Sequence, residues 1–368
     1  MCMNINTLKE CISEVGDKRR TSHGHVLHKF EDIIIIGLCA VISDGEDFAD
    51  MEMFGRERES WLRRFLELPN GIPDADTFRR VFEAVDPAEL GACLRKWLDV
   101  ERAGRGVVAV DGKTMRGSAS AQHGAYHVVS AFAAENRLVL GEICVAEKSN
   151  EIEAVLELLD MIDVSGAVVT ADAMSCQKAV AAKIVQRGAD YVLSLKGNQP
   201  ELLEDVRLYF GSFGRSVPST RTIDKGHGRV EQREYSLLLD VGWIAQRPLW
   251  RSLNGAGRVV STVWERGETR SETRYFITSL TSLEGFAHAV RKHWSIESQL
   301  HWSLDVVFRE DASRARKDNS PLNMNILRKV ALMCLNQAKY GRVSKQKMRY
   351  KAALNPEALL DILFLRKK

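Results

Sequence analysis

The residues with chemistry to offer are acids that close apolar runs and a row of imidazole and carboxylate side chains near the C-terminal end. In Ala289-Val-Arg-Lys-His-Trp-Ser-Ile-Glu-Ser-Gln-Leu-His-Trp-Ser-Leu-Asp305, the side chains of His293, Glu297 and His301 recur every four residues. An i, i+4, i+8 row lies on one face of a helix. Trp294, Leu300, Trp302 and Leu304 form no single stripe, so apolar side chains occur nearly all round, the pattern of a helix buried in a larger domain. A carboxylate there is costly without a metal ion, a basic side chain or a hydrogen-bond network as partner. Asp111 ends the run Gly104-Arg-Gly-Val-Val-Ala-Val, and Asp172 ends Gly166-Ala-Val-Val-Thr-Ala. Three acids meeting at one point repel unless a cation joins them. Hard oxygen ligands with open coordination positions suit Mg²⁺. Two such ions clamp the attacking and leaving oxygens of a phosphoryl transfer. The chemistry these residues suggest is Mg²⁺-dependent attack on phosphodiesters.

Each acid has a plainer alternative. Asp172 can cap the helix that starts near Gln177, Asp111 before Gly112 can be a turn residue, and Glu297 can pair with Arg291 or a histidine. A zinc site of His293, Glu297 and His301 is also open, although the His-Glu-x-x-His of metalloprotease helices is absent.

These groups need a scaffold, and 368 residues leave room for two domains. Hydrophobic content of 45% and charged content of 27% are those of a globular chain. The longest apolar run, Ile33 to Ile42, is about half a bilayer span, and the acidic N-terminus does not resemble a signal peptide. The seven cysteines are scattered without Cys-x-x-Cys spacing, which predicts a reduced, cytoplasmic protein with no zinc module. The net charge of +3 is small, but its distribution is uneven. Lys18, Arg19, Arg20, His23, His25, His28 and Lys29 cluster near the start. Arg328, Lys329, Lys339, Arg342, Lys345, Lys347, Arg349 and Lys351 lie in an acid-free stretch near the end. Both clusters suit a phosphate-binding surface, although charge runs alone more often form a solvated face or tail.

Residues 1–100 read as short helices: the Ile33–Ile42 run, a stretch around Trp61 and Phe65, then Phe78, Val81, Phe82 and Val85 after a cap at Asp76 or Thr77. Asp86-Pro87 starts another through Leu90, Leu94 and Trp97. From about residue 104 a strand ending at Asp111 is followed by strands over Tyr126–Ala133 and Arg137–Val145. A helix over Glu151–Leu159, the strand to Asp172, a helix over Gln177–Arg187 and a strand from Asp190 come next. That alternation is an α/β pattern around a mixed sheet. Residues 201–285 look like a β-rich insertion, with turn chemistry over Asp224–Arg233 and strands at Glu234–Leu239, Gly257–Glu265 and Thr273–Leu280. Leu322 to Leu365 reads as helical, with Pro356 starting the last helix.

Ordered blocks along the chain resemble the insertion-sequence As1 type of D-D-E transposase, the H-repeat-associated family. They are Leu68-Pro-Asn-Gly-Ile-Pro73 with Asp76-Thr-Phe-Arg-Arg-Val-Phe82, Val110-Asp-Gly-Lys-Thr-Met-Arg-Gly-Ser118, His127-Val-Val-Ser-Ala-Phe132 and Glu147-Lys-Ser-Asn-Glu-Ile152. Thr170-Ala-Asp-Ala-Met174, Leu195-Lys-Gly-Asn-Gln199, His227-Gly-Arg-Val-Glu231, His293-Trp-Ser-Ile-Glu297, Leu300-His-Trp302 and Leu304-Asp-Val-Val-Phe-Arg-Glu-Asp-Ala-Ser-Arg314 complete the series. The resemblance implies a ribonuclease H-like α/β fold, a mixed sheet with flanking helices and a β-rich insertion, preceded by an N-terminal helical domain. Its implied divisions are a helical, DNA-binding domain over 1–100, a catalytic domain over 101–340 with its insertion at about 201–285, and a basic helical tail over 341–368. Asp111, Asp172 and Glu297 become the catalytic, Mg²⁺-binding acids, with Mn²⁺ as a substitute. Lys113, Arg116, Lys196, Asn198, Arg229, Arg291 and His293 become DNA contacts. The broader class surrounds its Glu with Tyr-x2-Arg-x3-Glu-x6-Lys; here those flanking positions hold Val290, His293 and Leu304. The partners implied are double-stranded DNA, as terminal inverted repeats and target, and a second copy in a homodimer, with no membrane. The activity implied is cleavage at the element's ends and strand transfer, in a cytoplasmic, nucleoid-associated protein. The rival readings are a nuclease that cuts without joining and a silent DNA-binding relic or regulator.

Overall fold

The computed structural model describes residues 4–19, 26–100, 106–120, 123–145, 150–214, 216–226, 228–338 and 340–365. Arg20, His23, His25, Gly104, Arg105, Glu147-Lys-Ser149, His227 and Lys339, which figure in the readings above, lie outside the described residues. The N-terminal region is helical: α1 (Ile5–Ser13), α2 (Phe30–Ile42), α3 (Phe48–Glu57), α4 (Glu59–Leu62), α5 (Ala75–Ala84) and α6 (Pro87–Trp97). Every residue of α2 except Glu31 is buried, as an apolar run without a polar face requires. The cap of α5 is Asp74, whose carboxylate accepts the Thr77 N–H at 2.7 Å; neither Asp76 nor Thr77 takes that place.

The sheet follows the expected alternation: β1 (Val107–Thr114), β2 (His127–Ala133), β3 (Leu138–Val145), α7 (Glu151–Met161), β4 (Val168–Ala171), α8 (Lys178–Gln186) and β5 (Asp190–Leu195). β1 pairs antiparallel with β2 and β2 with β3, while β1, β4 and β5 run parallel. The strand order β3-β2-β1-β4-β5 is the ribonuclease H-like arrangement that the resemblance implies. α9 (Pro200–Phe213) then leads to β6 (Ser219–Gly226), β7 (Arg229–Leu238), β8 (Gly255–Glu265) and β9 (Glu268–Thr278). β9 pairs antiparallel with β5, so the insertion continues the same nine-stranded sheet.

Two features of the insertion differ from the sequence reading. α9 is a helix at the start of the stretch expected to be β-rich; Leu202, Leu203, Val206 and Phe210 form its buried face. The polar stretch Asp224–Arg233 is mostly strand, the end of β6 and start of β7. It shows no apolar alternation because that arm is solvated, and cross-strand ion pairs hold it instead. Arg221 meets Glu234 at 2.6 Å and Arg233 meets Asp224 at 2.5 Å.

Strand alternation sorts the sheet into two faces. Val110, Ala131 and Gly141 are register partners facing α7, while Asp111, Ser130 and Glu142 are partners on the opposite face. α10 (Leu283–Ser295) and α11 (Ser320–Gln337) cover that second face. Lys329 of α11 is buried there, donating to Ser130 Oγ at 3.0 Å and pairing with Glu142. α11 also packs on α2, α5 and α6, joining helices to sheet. α12 (Lys345–Leu354) and α13 (Pro356–Leu363) return to α2 and α11.

The C-terminal basic stretch is therefore not simply a phosphate-binding surface, nor a solvated tail. Arg328, Lys329 and Arg349 are buried. Arg349 donates to the Val41 carbonyl at 3.0 Å, to that of Gly45 at 3.3 Å and to that of Val307, and pairs with Asp44 at 2.9 Å. Its guanidinium also lies 4.4 Å from the Phe308 ring centroid. One cation thus satisfies the orphan carbonyls at the end of α2 and fixes the chain beyond the 289–305 segment. Arg349→Ala removes a buried donor that nothing replaces; a loss of about 3–5 kcal/mol is expected, measured by urea unfolding.

Candidate active site

Asp111 sits inside β1, opposite Ser130, so it is a strand residue and not a turn. Alternation aims it at α10. Its Oδ1 accepts the N–H of Gly112 at 3.0 Å. A Cβ at Gly112 would strike the His127 ring on the far face, where His127 Nε2 and Glu151 form a buried 2.9 Å pair. Asp172 is the first residue past β4 and accepts the Ser175 N–H at 3.2 Å. It does not cap α8, whose N-cap is Gln177. The loop after Asp172 is held from the β5 turn: Asn198 Nδ2 donates to Ala173 O at 2.6 Å and Gln199 Nε2 to Cys176 O at 3.1 Å. That is what the amides of Leu195-Lys-Gly-Asn-Gln199 do.

Glu297 follows α10 directly, where the helix widens into two π-type stretches, Ile296–His301 and Ser303–Val307. The Trp302 N–H reaches back to Glu297 O and the Phe308 N–H to Ser303 O, both five residues away. Hydroxyls compete for carbonyls along it: Ser298 Oγ donates to Trp294 O at 2.8 Å and Ser303 Oγ to Gln299 O at 2.6 Å. Such back-bonding loosens the regular ladder, and π turns recur at functional sites. The segment is not buried all round. Leu300 and Leu304 face the core, but Trp294, Trp302 and Glu297 are exposed.

Asp111, Asp172, Glu297 and His293 line one cleft of about 390 Å³ with Thr170, Lys196, Arg274 and Trp294. His301 joins them at its edge: its Nδ1–H donates to Glu297 Oε2 at 2.9 Å and lies 3.7 Å from Asp111 Oδ2. One ligand atom each from Asp111, Glu297 and His301 falls within 4.8 Å of the others. Burial first, then the charges of Asp172 and Glu297, push the Asp111 carboxyl up to about 6, with His301 opposing. The His301 bond holds the Glu297 carboxyl below its ordinary value. His293 Nδ1 meets Thr170 Oγ1 at 3.0 Å, and burial, then Arg274, push its pKa down to about 4.

The donor set fits a divalent cation. Hard carboxylates converge in a cleft where the most buried of them resists ionisation, and an imidazole faces two of them. The histidine that pairs with Glu297, an alternative the sequence offers, is His301; what the sequence does not show is that His301 also meets Asp111, 190 positions earlier in a different element.

The basic residues expected at DNA are placed unequally. Lys113, on the Asp111 face of β1, is largely buried between Asp305 and Glu310, each at 2.8 Å, with Asp311 at 3.7 Å. Against its burial, Glu310 and Asp305 hold it protonated. Asp305, Glu310 and Asp311 belong to the Leu304–Arg314 block, whose role as this clamp the sequence did not reveal. Arg116 is 83% exposed in its side chain, and Lys196 is exposed at the cleft. Arg229 pairs with Glu231 at 2.8 Å and Arg291 with Asp224 at 2.9 Å, all half-open to solvent or lining a groove that continues from the cleft along β7 and β9.

Known proteins similar to this chain give its family. The family described as Transposase DDE domain matches residues 102–335, and the one described as DDE_Tnp_1-associated matches 9–98. The H repeat-associated putative transposase YhhI of Escherichia coli K12 is 36% identical over 375 aligned positions, covering 98% of each chain. The putative transposase YncI of Escherichia coli O157:H7 is 36% identical over 98% of this chain and 95% of that one. Among solved structures, a piggyBac transposase synaptic complex with hairpin DNA aligns at TM-score 0.41 and 12% identity, over 98% of this chain and 78% of that one. The family match over residues 102–335 makes this a DDE-type transposase domain. The chain belongs to the H-repeat-associated family of DDE transposases. Divalent-metal use comes with that domain type. Among the described residues no helix is long and apolar enough to cross a membrane.

Asp111 supplies a sign-definite prediction. Its pKa lies above the ordinary 3.8 at about 6, so the folded state without metal binds its proton more tightly than the unfolded state. Stability therefore falls as pH rises from about 4 through 6, by at most about 3 kcal/mol. Asp111→Asn removes that charge: in chelator it should raise the melting temperature above pH 7, and the gain should fade towards pH 4. Calorimetry across that range checks it.

Proposed function

We propose that this chain cuts DNA at the ends of its own insertion sequence and joins the freed 3′ ends to target DNA. The observation that carries this reading is the convergence of Asp111, Asp172 and Glu297, from β1, the end of β4 and the helix after α10, on one cleft. Mg²⁺, or Mn²⁺ in its place, held by these acids would lower the pKa of an attacking water and offset charge on the phosphodiester. In the first reaction the water oxygen bonds to phosphorus and the 3′-oxygen leaves with a proton as a hydroxyl. In the second that hydroxyl loses its proton and bonds to a target phosphorus, and the target's own 3′-oxygen leaves and takes up a proton, with no covalent bond to protein.

The chain's own groups position and neutralise. Lys196 at the cleft and the exposed Arg116 beside Asp311 are open to DNA phosphates, and Arg229 and Arg291 can exchange their carboxylate partners for phosphates along the insertion. Lys113, Asn198 and His293 act from beneath: Lys113 holds the 305–311 segment against β1, Asn198 holds the Asp172 loop, and His293 fixes α10 to β4 through Thr170. Residues 1–100 form the DNA-binding helical unit, 101–340 the catalytic unit, and 341–368 a helical extension. Two ends joined in one complex call for a homodimer, and a DNA substrate would place the protein at the nucleoid.

The test uses supercoiled plasmid carrying the element's ends, incubated with Mg²⁺ and the purified chain. Wild type should cut at the ends; Asp111→Asn, Asp172→Asn and Glu297→Gln should each cut at least about a hundredfold more slowly while retarding end DNA equally in a gel. Equal cutting by all four would sink the assignment.

A further inference from the structure

We propose that His301 is itself a metal ligand, so that one cation position is built from Asp111, Glu297 and His301 Nδ1 and favours Mn²⁺ over Mg²⁺. This rests on the reading that the acids hold divalent metal, and it sharpens which metal.

The distances suit it. Two adjacent ligands of an octahedral ion with bonds near 2.1 Å lie about 3.0 Å apart; His301 Nδ1 and Glu297 Oε2 are 2.9 Å apart. Asp111 Oδ2 at 3.7 Å stands between the adjacent and opposite spacings of such an ion. A cation would take the place of the proton that Nδ1 and Oε2 now share. Asp172 lines the cleft, but the set that closes within 4.8 Å among the described residues is Asp111, Glu297 and His301. Asp172 is left to a neighbouring position.

The ring is also placed as a ligand is placed. His301 is only 5% exposed, so its rotamer is held by packing. Its Nε2 is buried without a hydrogen-bond partner among the described residues. What keeps this ring is on its Nδ1 side, where two carboxylates converge. An imidazole changes selectivity: Mg²⁺ takes oxygen almost alone, whereas nitrogen donors bind transition cations better.

Pulsed EPR of Mn²⁺ on the full chain without DNA reads the ligand directly. Wild type should show ¹⁴N coupling from a bound imidazole. His301→Gln should lose it and weaken Mn²⁺ at least about tenfold, with Mg²⁺ competition changed much less; His293→Gln should keep it. Labelling histidine with ¹⁵N in the wild type decides the ligand even where His301→Gln does not fold, because the coupling must then change isotope. An all-oxygen Mn²⁺ site, or coupling that survives in folded His301→Gln, overturns the proposal and leaves the acid reading standing. Failure of wild type to bind Mn²⁺ more tightly than Asp111→Asn overturns both.

Discussion

Carboxylates that repel one another in a half-buried cleft are the constraint on which the rest of this structure depends. Burial and the neighbouring charges lift Asp111 to about 6, while Glu297 is kept charged by the His301 N–H. Left alone, such a cluster would open. The chain opposes that by fixing the backbone under each acid: Asp111 in the centre of a paired strand, Asp172 in a loop pinned by Asn198 and Gln199, and Glu297 on a widened helix anchored by Leu300 and Leu304. The repulsion is concentrated where a cation would offset it.

Buried cations do the fixing, and each ties together parts of the chain far apart in sequence. Lys113 joins β1 to the Asp305–Asp311 segment, Lys329 joins α11 to β2 and β3 beside Asp111, and Arg349 joins the end of α2 to the residues after the third acid. Buried charges of this kind are weak sources of net stability, but losing one partner is costly. Their effect here is to specify geometry. The N-terminal helices and the C-terminal pair bear on the site through α11 and Arg349.

Much of this was legible because it follows from period. β-branched runs ending in Asp111 and Asp172, and the alternation from β1 to β5, needed only the pattern of side chains. The β6–β7 arm escaped because both its faces meet water, so no apolar alternation marks it; its ion pairs show only once the strands are set side by side. The fate of Lys113, Arg328, Lys329 and Arg349 escaped for a related reason. A charge run in sequence carries no mark of which members find buried carboxylates or carbonyls. His301 was visible four residues past Glu297, but its meeting with Asp111 depends on the sheet register and on a π turn that no periodicity foretells.

The central claim is that this acid cleft both frees and uses a DNA 3′ end. The most direct measurement supplies a labelled, pre-cut element end bearing a 3′-hydroxyl, a separate target duplex, and divalent metal. Covalent joining of label to target by the wild type, absent with a 3′-deoxy end and absent with Asp172→Asn, is the result this account predicts. Joining that persists in Asp172→Asn, or nicking of the target with no label transferred, would contradict it.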